Sequence, residues 1–471
     1  MPLEHADPSA LGIDAAAVAR FADALDAGGH GVHGLVLARF GRVAAQGWWH
    51  PYRPDTPHMM YSVSKAFTSM AIGLAIEDGL IGLDEPTHDV FPEFAEIPGQ
   101  TIRHLLTMTT GHDRDVWPTL TSLPGRDGAE LFFAVPAPYP PGEHFVYSTG
   151  TSYVLAAALV RRTGRSLSDY LGARLFGPLG WGAPHWERDA RGIELGGTGL
   201  KLTTGQLADF GQLLLQRGVW EGMQLVPAAW IDQASSRQVR NPWFDSHESR
   251  IGYGFQLWRS SHGFRADGAY GQFAVVIPEL ELVLATTSGS SNANAILETA
   301  WRELLPGVDA AFTPAGEPGG AALELAGRHV AEPGGEATDA VAEAALAGRS
   351  FTLQGNRLGV GRLTVRQDAD TVTFELSGTG IATERLVAGR TEWRRGRTAL
   401  WPQEQLPDVP YAARAGWADG ALEVHQQLVG TPFRRIWRLF PDGPEGVRLT
   451  LDLIPDAGAT AREDVLLAPA R

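Results

Sequence analysis

The sequence predicts an α/β (α+β) protein, in which a mixed sheet flanked by helices carries a helical lobe and precedes a small antiparallel β domain. Three observations lead to this prediction. Strand-like alternation occurs near the N-terminus and again in residues 253–288, so one sheet would take strands from two distant parts of the chain. Helical periodicity interrupted by Gly/Pro loops fills about 85–240 between them. Alternation returns beyond residue 343, and 471 residues are too many for one ordinary domain.

The elements of the first part follow from their periodicity. An amphipathic helix is predicted over residues 13–28 and a second one over about Ser62–Glu77, where Gly79 supplies the stop. Between them, the run "VHGLVLARFGRVAAQGWW" alternates through two strands that join near Phe40–Gly41, which predicts a β-hairpin. The later strands are followed by a helix that continues through Trp301.

These patterns divide the chain into a domain over residues 1–305, a linker over 306–342 and a C-terminal domain over 343–471. The linker is rich in glycine and proline and contains at most one short helix. In the C-terminal domain, segments such as "TVTFELSG" and "VRLTLDLI" alternate, which predicts a small antiparallel sandwich or a lipocalin-like barrel. Its role and the oligomeric state of the protein are left open.

Composition excludes several classes of function. The net charge of −15 contains no block of like charges, which argues against nucleic acid and membranes as partners. The absence of cysteine excludes disulfides, a thiol nucleophile and thiolate metal sites. No H-E-x-x-H, P-loop or dinucleotide pattern occurs, so neither metal nor cofactor is expected, and no G-x-S-x-G elbow indicates an α/β-hydrolase. With no signal-peptide pattern and no long apolar run, a cytoplasmic protein is expected.

Lysine is almost absent from the sequence. Among 39 basic residues only Lys65 and Lys201 are lysines. Ser62 and Lys65 are three residues apart, so on the predicted helix their side chains project from one face, one turn apart. A lysine can remove the proton of a serine if burial lowers its pKa, whereas an arginine stays protonated. The pair therefore predicts a nucleophilic serine with an amine base. Lys201 either lines the same cleft or is an ordinary surface residue.

Three short motifs follow one another along the chain. They are "YSVSK", which contains Ser62 and Lys65, then "FVYSTG" with Tyr147, and "ADGAYGQ" at residues 266–272. Together they resemble the serine β-lactamase and penicillin-binding protein superfamily, in its class C and esterase-like branch, which includes enzymes of the 6-aminohexanoate-dimer hydrolase type and family VIII-type esterases. The resemblance covers residues 1 to about 305 and implies a β-lactamase-like fold for them.

The resemblance also implies a role for each site residue. Ser62 is the nucleophile that forms an acyl-enzyme, and Lys65 and Tyr147 share the acid/base work. Either of them can be the first base, since a neighbouring ammonium lowers the pKa of a tyrosine. The oxyanion hole consists of the backbone amides of Ser62 and Ala269, and Gly268 leaves room for a substrate along the strand.

The resemblance is incomplete at two positions that bind substrate. Thr149 replaces the asparagine of the Y-x-N motif, whose amide binds the acyl amide of a β-lactam or peptide in that superfamily. The third motif reads Ala266-Asp267-Gly268 and lacks the lysine or histidine that attracts a substrate carboxylate. Asp267 would repel an anionic substrate if its side chain faces the cleft, and the opposite orientation is left open.

These departures favour a carboxylic ester or a small amide as the small-molecule substrate of a serine hydrolase. A β-lactamase or D-alanyl carboxypeptidase of the same fold is the first alternative. The second alternative is a catalytically silent binding protein on this scaffold, and the presence of Ser62, Lys65 and Tyr147 together counts against it.

Overall fold

The computed structural model describes residues 3–244, 246–336, 338–353, 356, 358–378, 381–400, 408–442, 446–454 and 462–469. The strands of the first part of the chain are β1 (Glu4–His5), β2 (Val32–Arg39), β3 (Arg42–Trp48), β4 (His58–Met59), β5 (Lys201–Leu202), β6 (Val219–Trp220), β7 (Met223–Gln224), β8 (Trp258–Arg259), β9 (Phe264–Gly268), β10 (Gln272–Ile277), β11 (Leu282–Ser288) and β12 (Leu323–Glu324). Its helices are α1 (Ala15–Ala27), α2 (Ser64–Glu77), α3 (Thr87–Val90), α4 (Ile102–Leu106), α5 (Trp117–Ser122), α6 (Gly128–Ala134), α7 (Thr149–Thr163), α8 (Leu167–Leu171), α9 (Thr204–Leu215), α10 (Ala228–Ser235) and α11 (Ala293–Thr299). In the described ranges no helix has both the length and the apolar character required to cross a membrane.

The first sheet takes its strands from both ends of this part of the chain. Its order is β1-β3-β2-β11-β10-β9-β8, with β12 added parallel to β3. β2 and β3 form the predicted hairpin, and Phe40 and Gly41 at its turn have positive φ angles of 51° and 73°. β2 also pairs with β11, which joins the N-terminal strands to the strands that precede α11. The predicted mixed sheet is therefore confirmed.

Helices cover both faces of the first sheet. On one face, Val18 and Phe21 of α1 share a core with Leu35 and Leu37 of β2. On the other face, Val36 joins the core formed by α2, α9 and the helical lobe. Because successive residues of a strand face opposite sides, β2 contributes to both cores. This arrangement confirms the predicted sheet flanked by helices with a helical lobe.

α2 is the central helix of this part and is buried all round. The twelve residues from Ser64 to Ala75 are all buried, so α2 lacks the exposed polar face of an amphipathic helix. Its polar side chains are therefore bonded inside the protein, as Thr68 Oγ1 is to the carbonyl of Gly196 at 2.8 Å. The helix begins at Ser64, and Tyr61–Val63 form a 3₁₀ turn before it. The sequence predicts a helix that starts at about Ser62, whereas in the structure Ser62 lies just before the helix, in the 3₁₀ turn.

The segment 306–342, predicted as a linker, contributes a strand to the first sheet. In β12, Leu323 is opposite Ala45 of β3 in the parallel register. Ala322 and Leu325 flank this strand and are buried in the two cores of the first part. The apolar run is too short to signal a strand by itself, and it is held in place by burial against the sheet.

Within the described residues, the second sheet contains ten strands and forms the C-terminal domain. They are β13 (Ser350–Leu353), β14 (Arg362–Gln367), β15 (Thr371–Gly378), β16 (Ile381–Gly389), β17 (Arg394–Thr398), β18 (Val409–Ala418), β19 (Ala421–Leu428), β20 (Arg434–Asp442), β21 (Gly446–Ile454) and β22 (Arg462–Pro469), preceded by α12 (Ala340–Leu346). Their order is β16-β15-β14-β13-β22-β21-β20-β19-β18-β17, and Gly389 also pairs with Arg414 of β18, which nearly closes the sheet. The predicted antiparallel β domain is confirmed, in a barrel-like form rather than as a two-layer sandwich.

Candidate active site

Ser62 lies in the tight turn between β4 and α2. Tyr61 before it has a φ of 48°, a conformation that residues other than glycine rarely adopt. The turn is anchored by Met60, whose N–H donates to the carbonyl of Leu200 at 2.8 Å. A Cβ on Gly268 of β9 would lie 2.3 Å from the Met60 carbonyl oxygen, so a glycine lets β9 pack against the turn that carries Ser62. The sequence did not show this reason for Gly268.

Lys65 extends from the first turn of α2 toward Ser62. Its Nζ lies 3.0 Å from Ser62 Oγ, 3.2 Å from Thr149 Oγ1 and 2.7 Å from the carbonyl oxygen of Gly197. The side chain is 1% exposed, and burial lowers the pKa of Lys65 from 10.5 to about 7, against the opposite effect of two nearby carboxylates. Near neutral pH, a large fraction of Lys65 is therefore an uncharged amine within hydrogen-bonding distance of the serine.

Tyr147 lies beside the same two residues. Its ring centroid is 5.0 Å from Lys65 Nζ, and its hydroxyl is hydrogen-bonded to Ser62. The ring packs against Tyr253 and Trp258, with centroids 6.1 and 5.3 Å away. Burial raises the pKa of Tyr147, and the hydrogen bond to Ser62 offsets this only partly, so the phenol is protonated at neutral pH. This direction does not favour a phenolate at Tyr147, which the sequence left open beside Lys65 as the first base.

Asp115 fixes the start of α7, and sequence reasoning missed it. Its Oδ1 accepts hydrogen bonds from the Thr149 N–H at 3.0 Å, from Ser148 Oγ at 2.8 Å and from the Trp117 N–H at 2.9 Å. These bonds hold Thr149 where its hydroxyl meets Lys65. The turn from Asp115 to Trp117 is a local pattern that the sequence could have revealed. The bonds to Ser148 and Thr149 span 33 and 34 residues and leave no local signal.

Asp267 lies within electrostatic reach of Lys65 and Tyr147, as expected if its side chain faces the cleft. Burial is the main influence on both neighbours: it lowers the pKa of Lys65 and raises the pKa of Tyr147. The negative charge of Asp267 raises the pKa of both. Arg265, two residues earlier on the same face of β9, donates from Nε to Asp267 Oδ2 at 2.8 Å. Burial raises the pKa of Asp267, and the guanidinium of Arg265 counteracts this. Sequence reasoning missed Arg265, a fully buried cation next to the third motif.

Ala269 follows β9 at the start of the turn to β10. It is exposed, and its carbonyl accepts a hydrogen bond from Gln272 Nε2 at 3.0 Å. The turn is tight, because the Gly271 N–H donates to the Gly268 carbonyl at 3.3 Å and Tyr270 has a φ of 67°. Since Gly268 packs against the turn of Ser62, the backbone of Ala269 lies at the edge of the candidate site.

Lys201 stands apart from this group. It is opposite Met59 in the short ribbon formed by β4 and β5, and it is partly buried. Burial lowers the pKa of Lys201, while the carboxylate of Glu187 raises it. Among the residues that the structure describes, no hydrogen bond joins Lys201 to Ser62 or Lys65.

Known proteins resemble both the sequence and the fold. A family model described as Beta-lactamase matches residues 18–307. The 6-aminohexanoate-dimer hydrolase of Paenarthrobacter ureafaciens is 25% identical over 290 residues, which are 54% of this chain and 71% of that protein. Esterase EstB of Burkholderia gladioli is 30% identical over 208 residues, 37% of this chain and 53% of that protein. The octameric penicillin-binding protein homologue from Pyrococcus abyssi matches 96% of this chain and 99% of its own, with a TM-score of 0.50 and 17% identity.

The family match spans more than half of the chain and includes the three motifs around Ser62, Tyr147 and Gly268. The match to the Pyrococcus abyssi structure extends into the second sheet, and at its low identity it concerns the fold alone. By name, the relatives include an esterase and a 6-aminohexanoate-dimer hydrolase. From the match of residues 18–307 we conclude that this chain belongs to the beta-lactamase family.

Proposed function

We propose that the protein is a serine hydrolase that forms an acyl-enzyme on Ser62 and cleaves a carboxylic ester or a small amide. The observation that carries the proposal is the buried amine of Lys65, 3.0 Å from Ser62 Oγ and with its pKa lowered to about 7. Relatives named as an esterase, a 6-aminohexanoate-dimer hydrolase and a D-aminopeptidase support hydrolysis in general. A role in binding alone gives no reason to bury this amine, because burying a charge costs free energy.

The three partners of Lys65 Nζ support a direction for the proton transfer. A neutral amine has two N–H donors and one lone pair. The carbonyl of Gly197 can only accept, and the hydroxyl of Thr149 can accept the second N–H. The lone pair is then left for the proton of Ser62. Because Tyr147 is a protonated phenol, we assign Lys65 as the first base and Tyr147 as the acid.

In acylation, Ser62 Oγ forms a bond to the substrate carbonyl carbon as its proton moves to Lys65, and the carbonyl oxygen becomes an oxyanion. The N–H groups of Ser62 and Ala269 stabilise this oxyanion in our proposal. When the tetrahedral intermediate collapses, the bond to the leaving group breaks. The leaving group takes a proton from Tyr147, which regains one from Lys65. In deacylation, water attacks the acyl carbon as its proton moves to Lys65. The bond to Ser62 Oγ then breaks, Ser62 regains a proton, and the carboxylic acid is released.

The surroundings of Ser62 favour an uncharged substrate over a β-lactam. Thr149 offers a hydroxyl in place of an amide, and this hydroxyl oxygen already accepts a hydrogen bond from Lys65 Nζ at 3.2 Å. Asp267 pairs with the guanidinium of Arg265 at 2.8 Å, which leaves little positive potential for a substrate carboxylate. We infer that β-lactams and D-alanyl peptides, which carry such a carboxylate, are poor substrates.

Covalent labelling tests the nucleophile. We expect a fluorophosphonate to add one adduct to the wild type and none to Ser62→Ala, measured by intact-protein mass. Ser69→Ala is the matched control, because Ser69 is a buried serine of α2 whose hydroxyl has no hydrogen-bond partner among the described residues. A cephalosporin should acylate Ser62 slowly or not at all. Rapid cephalosporin turnover would favour the β-lactamase alternative, and labelling that persists in Ser62→Ala would contradict the proposed nucleophile.

The pH dependence of ester hydrolysis tests the base. Lys65 must be uncharged to accept the proton of Ser62, so kcat/KM should rise as pH increases toward the pKa of about 7 and level off above it. Below that pKa the expected slope is about tenfold per pH unit, because one proton must dissociate. The measurement is kcat/KM for p-nitrophenyl acetate across this range, with the rate of Ser62→Ala subtracted. A profile without an inflection near neutral pH would exclude Lys65 as the titrating base.

A further inference from the structure

A cavity of about 230 Å³ lies between the first domain and the barrel-like domain. Its walls come from the end of α1 and the residues after it, from β2 and the residues after β3, from Gly289 and residues 329–331, and from β19, β20 and β21. None of the residues assigned to catalysis lines it. Polar side chains in its lining come from Asp26, His33, His329, Gln427 and Arg434, and Trp49 contributes an aromatic ring. The carboxylate of Asp26 accepts a hydrogen bond from Trp49 Nε1 at 2.5 Å and forms an ion pair with Arg328, so its charge is already neutralised. The cavity is therefore a second enclosure, made by both domains, whose lining combines apolar surface with a few polar side chains.

Arg434 is a partly buried cation in the wall of this cavity. Among the described residues, no hydrogen bond or ion pair holds its guanidinium, and the carboxylate of Glu423 influences it only at longer range. Glu423 itself accepts hydrogen bonds from Arg438 Nε at 2.5 Å and lies 3.3 Å from His425 Nε2. Burial lowers the pKa of Arg434, which indicates a desolvation cost that an anion in the cavity would offset.

A chain of hydrogen bonds determines which ring nitrogen of His33 is left as a hydrogen-bond acceptor beside the cavity. His58 Nδ1 lies 3.0 Å from the carbonyl oxygen of Met59, which can only accept, so this nitrogen carries the hydrogen. His58 Nε2 is then the acceptor for the Nδ1–H of His33, 2.9 Å away. Burial lowers the pKa of both histidines and keeps them neutral. His33 Nε2 is left as an acceptor, on the ring edge that borders Gly289 in the cavity wall.

We propose that this cavity binds a small carboxylate that also carries a hydrogen-bond donor, of which a hydroxy acid is the simplest example. The carboxylate pairs with the guanidinium of Arg434, whose planar fork matches two carboxylate oxygens. The donor group bonds to Nε2 of His33, and Gln427 and Trp49 complete the enclosure. The cavity is smaller than sites for drug-sized ligands, roughly 300–1,000 Å³, so the ligand is small. Because both domains supply contacts, the ligand joins them.

Saturation-transfer NMR on the full chain tests this proposal with lactate, propionate and lactamide at matched ionic strength. Lactate has both groups, propionate lacks the donor, and lactamide lacks the charge. We expect lactate to bind, and propionate and lactamide to bind roughly fivefold or more weakly, because each loses one buried hydrogen-bonding interaction. Arg434→Met should weaken lactate binding by roughly tenfold or more. Arg362→Met, at an exposed arginine of the same sheet, should leave it unchanged.

Four outcomes would overturn the proposal. The first is equal lactate affinity of Arg434→Met and the wild type, and the second is equal binding of the three ligands. The third is loss of lactate binding in Ser62→Ala, which would assign the ligand to the catalytic cleft. The fourth is binding of inorganic phosphate without lactate. If Arg434→Met does not fold, as judged by thermal unfolding, Arg434→Gln serves as the second variant with the same expected loss.

Discussion

Replacing Lys65 with arginine is expected to reduce kcat/KM for a neutral ester by roughly 10³–10⁴-fold. The arginine keeps the positive charge of lysine, but it cannot release its proton, so Ser62 loses its base. An effect of charge alone would leave the activity largely intact, because the charge is conserved. Steady-state hydrolysis of p-nitrophenyl acetate measures the loss, with the rate of Ser62→Ala as the background.

The chain provides a matched control in its second lysine. Lys201→Arg makes the same substitution at a partly buried lysine that has no hydrogen bond to Ser62, and it should retain most of the activity. Lys65→Met also removes the base, but methionine is smaller than arginine. A similar loss in both variants would therefore come from the missing base and not from steric crowding by the arginine. Thermal unfolding of each variant verifies that it is folded. If Lys65→Arg kept a tenth or more of the wild-type kcat/KM, the amine would not be the base.

The part of the site that could be predicted from the sequence depends on local spacing. Ser62 and Lys65 are close because a short turn and one helix fix their separation, and the scarcity of lysine made the pair conspicuous. Tyr147 was identified by its motif rather than by its position relative to Ser62. The helix and the hairpin were predictable for the same reason, since their periodicity is contained in short stretches of chain.

The rest of the site depends on contacts between distant residues. Lys65 meets Thr149 and Gly197 across 84 and 132 positions of the sequence, and no local pattern encodes such contacts. Alternation along β9 implies that Arg265 and Asp267 share a face. It cannot tell whether that face is turned toward Lys65, because this depends on how the sheet packs against α2. The same limitation explains why Arg265 was overlooked as a cation.

The form of the second domain was open for a related reason. Sandwiches and barrels have the same alternation along each strand, and they differ in whether the two ends of the sheet meet. Here that difference depends on the pairing of Gly389 with Arg414, which belong to different strands. The strand β12 was missed because its burial comes from contacts with β3 and not from its own pattern.

Tyr147→Phe is expected to lower kcat/KM according to the leaving group. Tyr147 is a protonated phenol that is hydrogen-bonded to Ser62, so in our proposal it supplies the proton that the leaving group takes. An alkyl acetate releases a strongly basic alkoxide and requires this proton, and its kcat/KM should fall by roughly 10²–10³-fold. p-Nitrophenolate is a stable anion that leaves without a proton, so p-nitrophenyl acetate should lose much less. Parallel assays of both esters measure the two losses.

The comparison of the two esters separates the possible roles of Tyr147. If its phenolate were the first base, both esters would lose the same factor, because both require the deprotonation of Ser62. Tyr253→Phe is the matched control, since Tyr253 packs against Tyr147 with ring centroids 6.1 Å apart and its buried hydroxyl has no hydrogen-bond partner among the described residues. Removing that hydroxyl leaves no group unpaired, so both rates should be unchanged. A loss for alkyl acetate alone would show that Tyr147 protonates the leaving group and would leave Lys65 as the base.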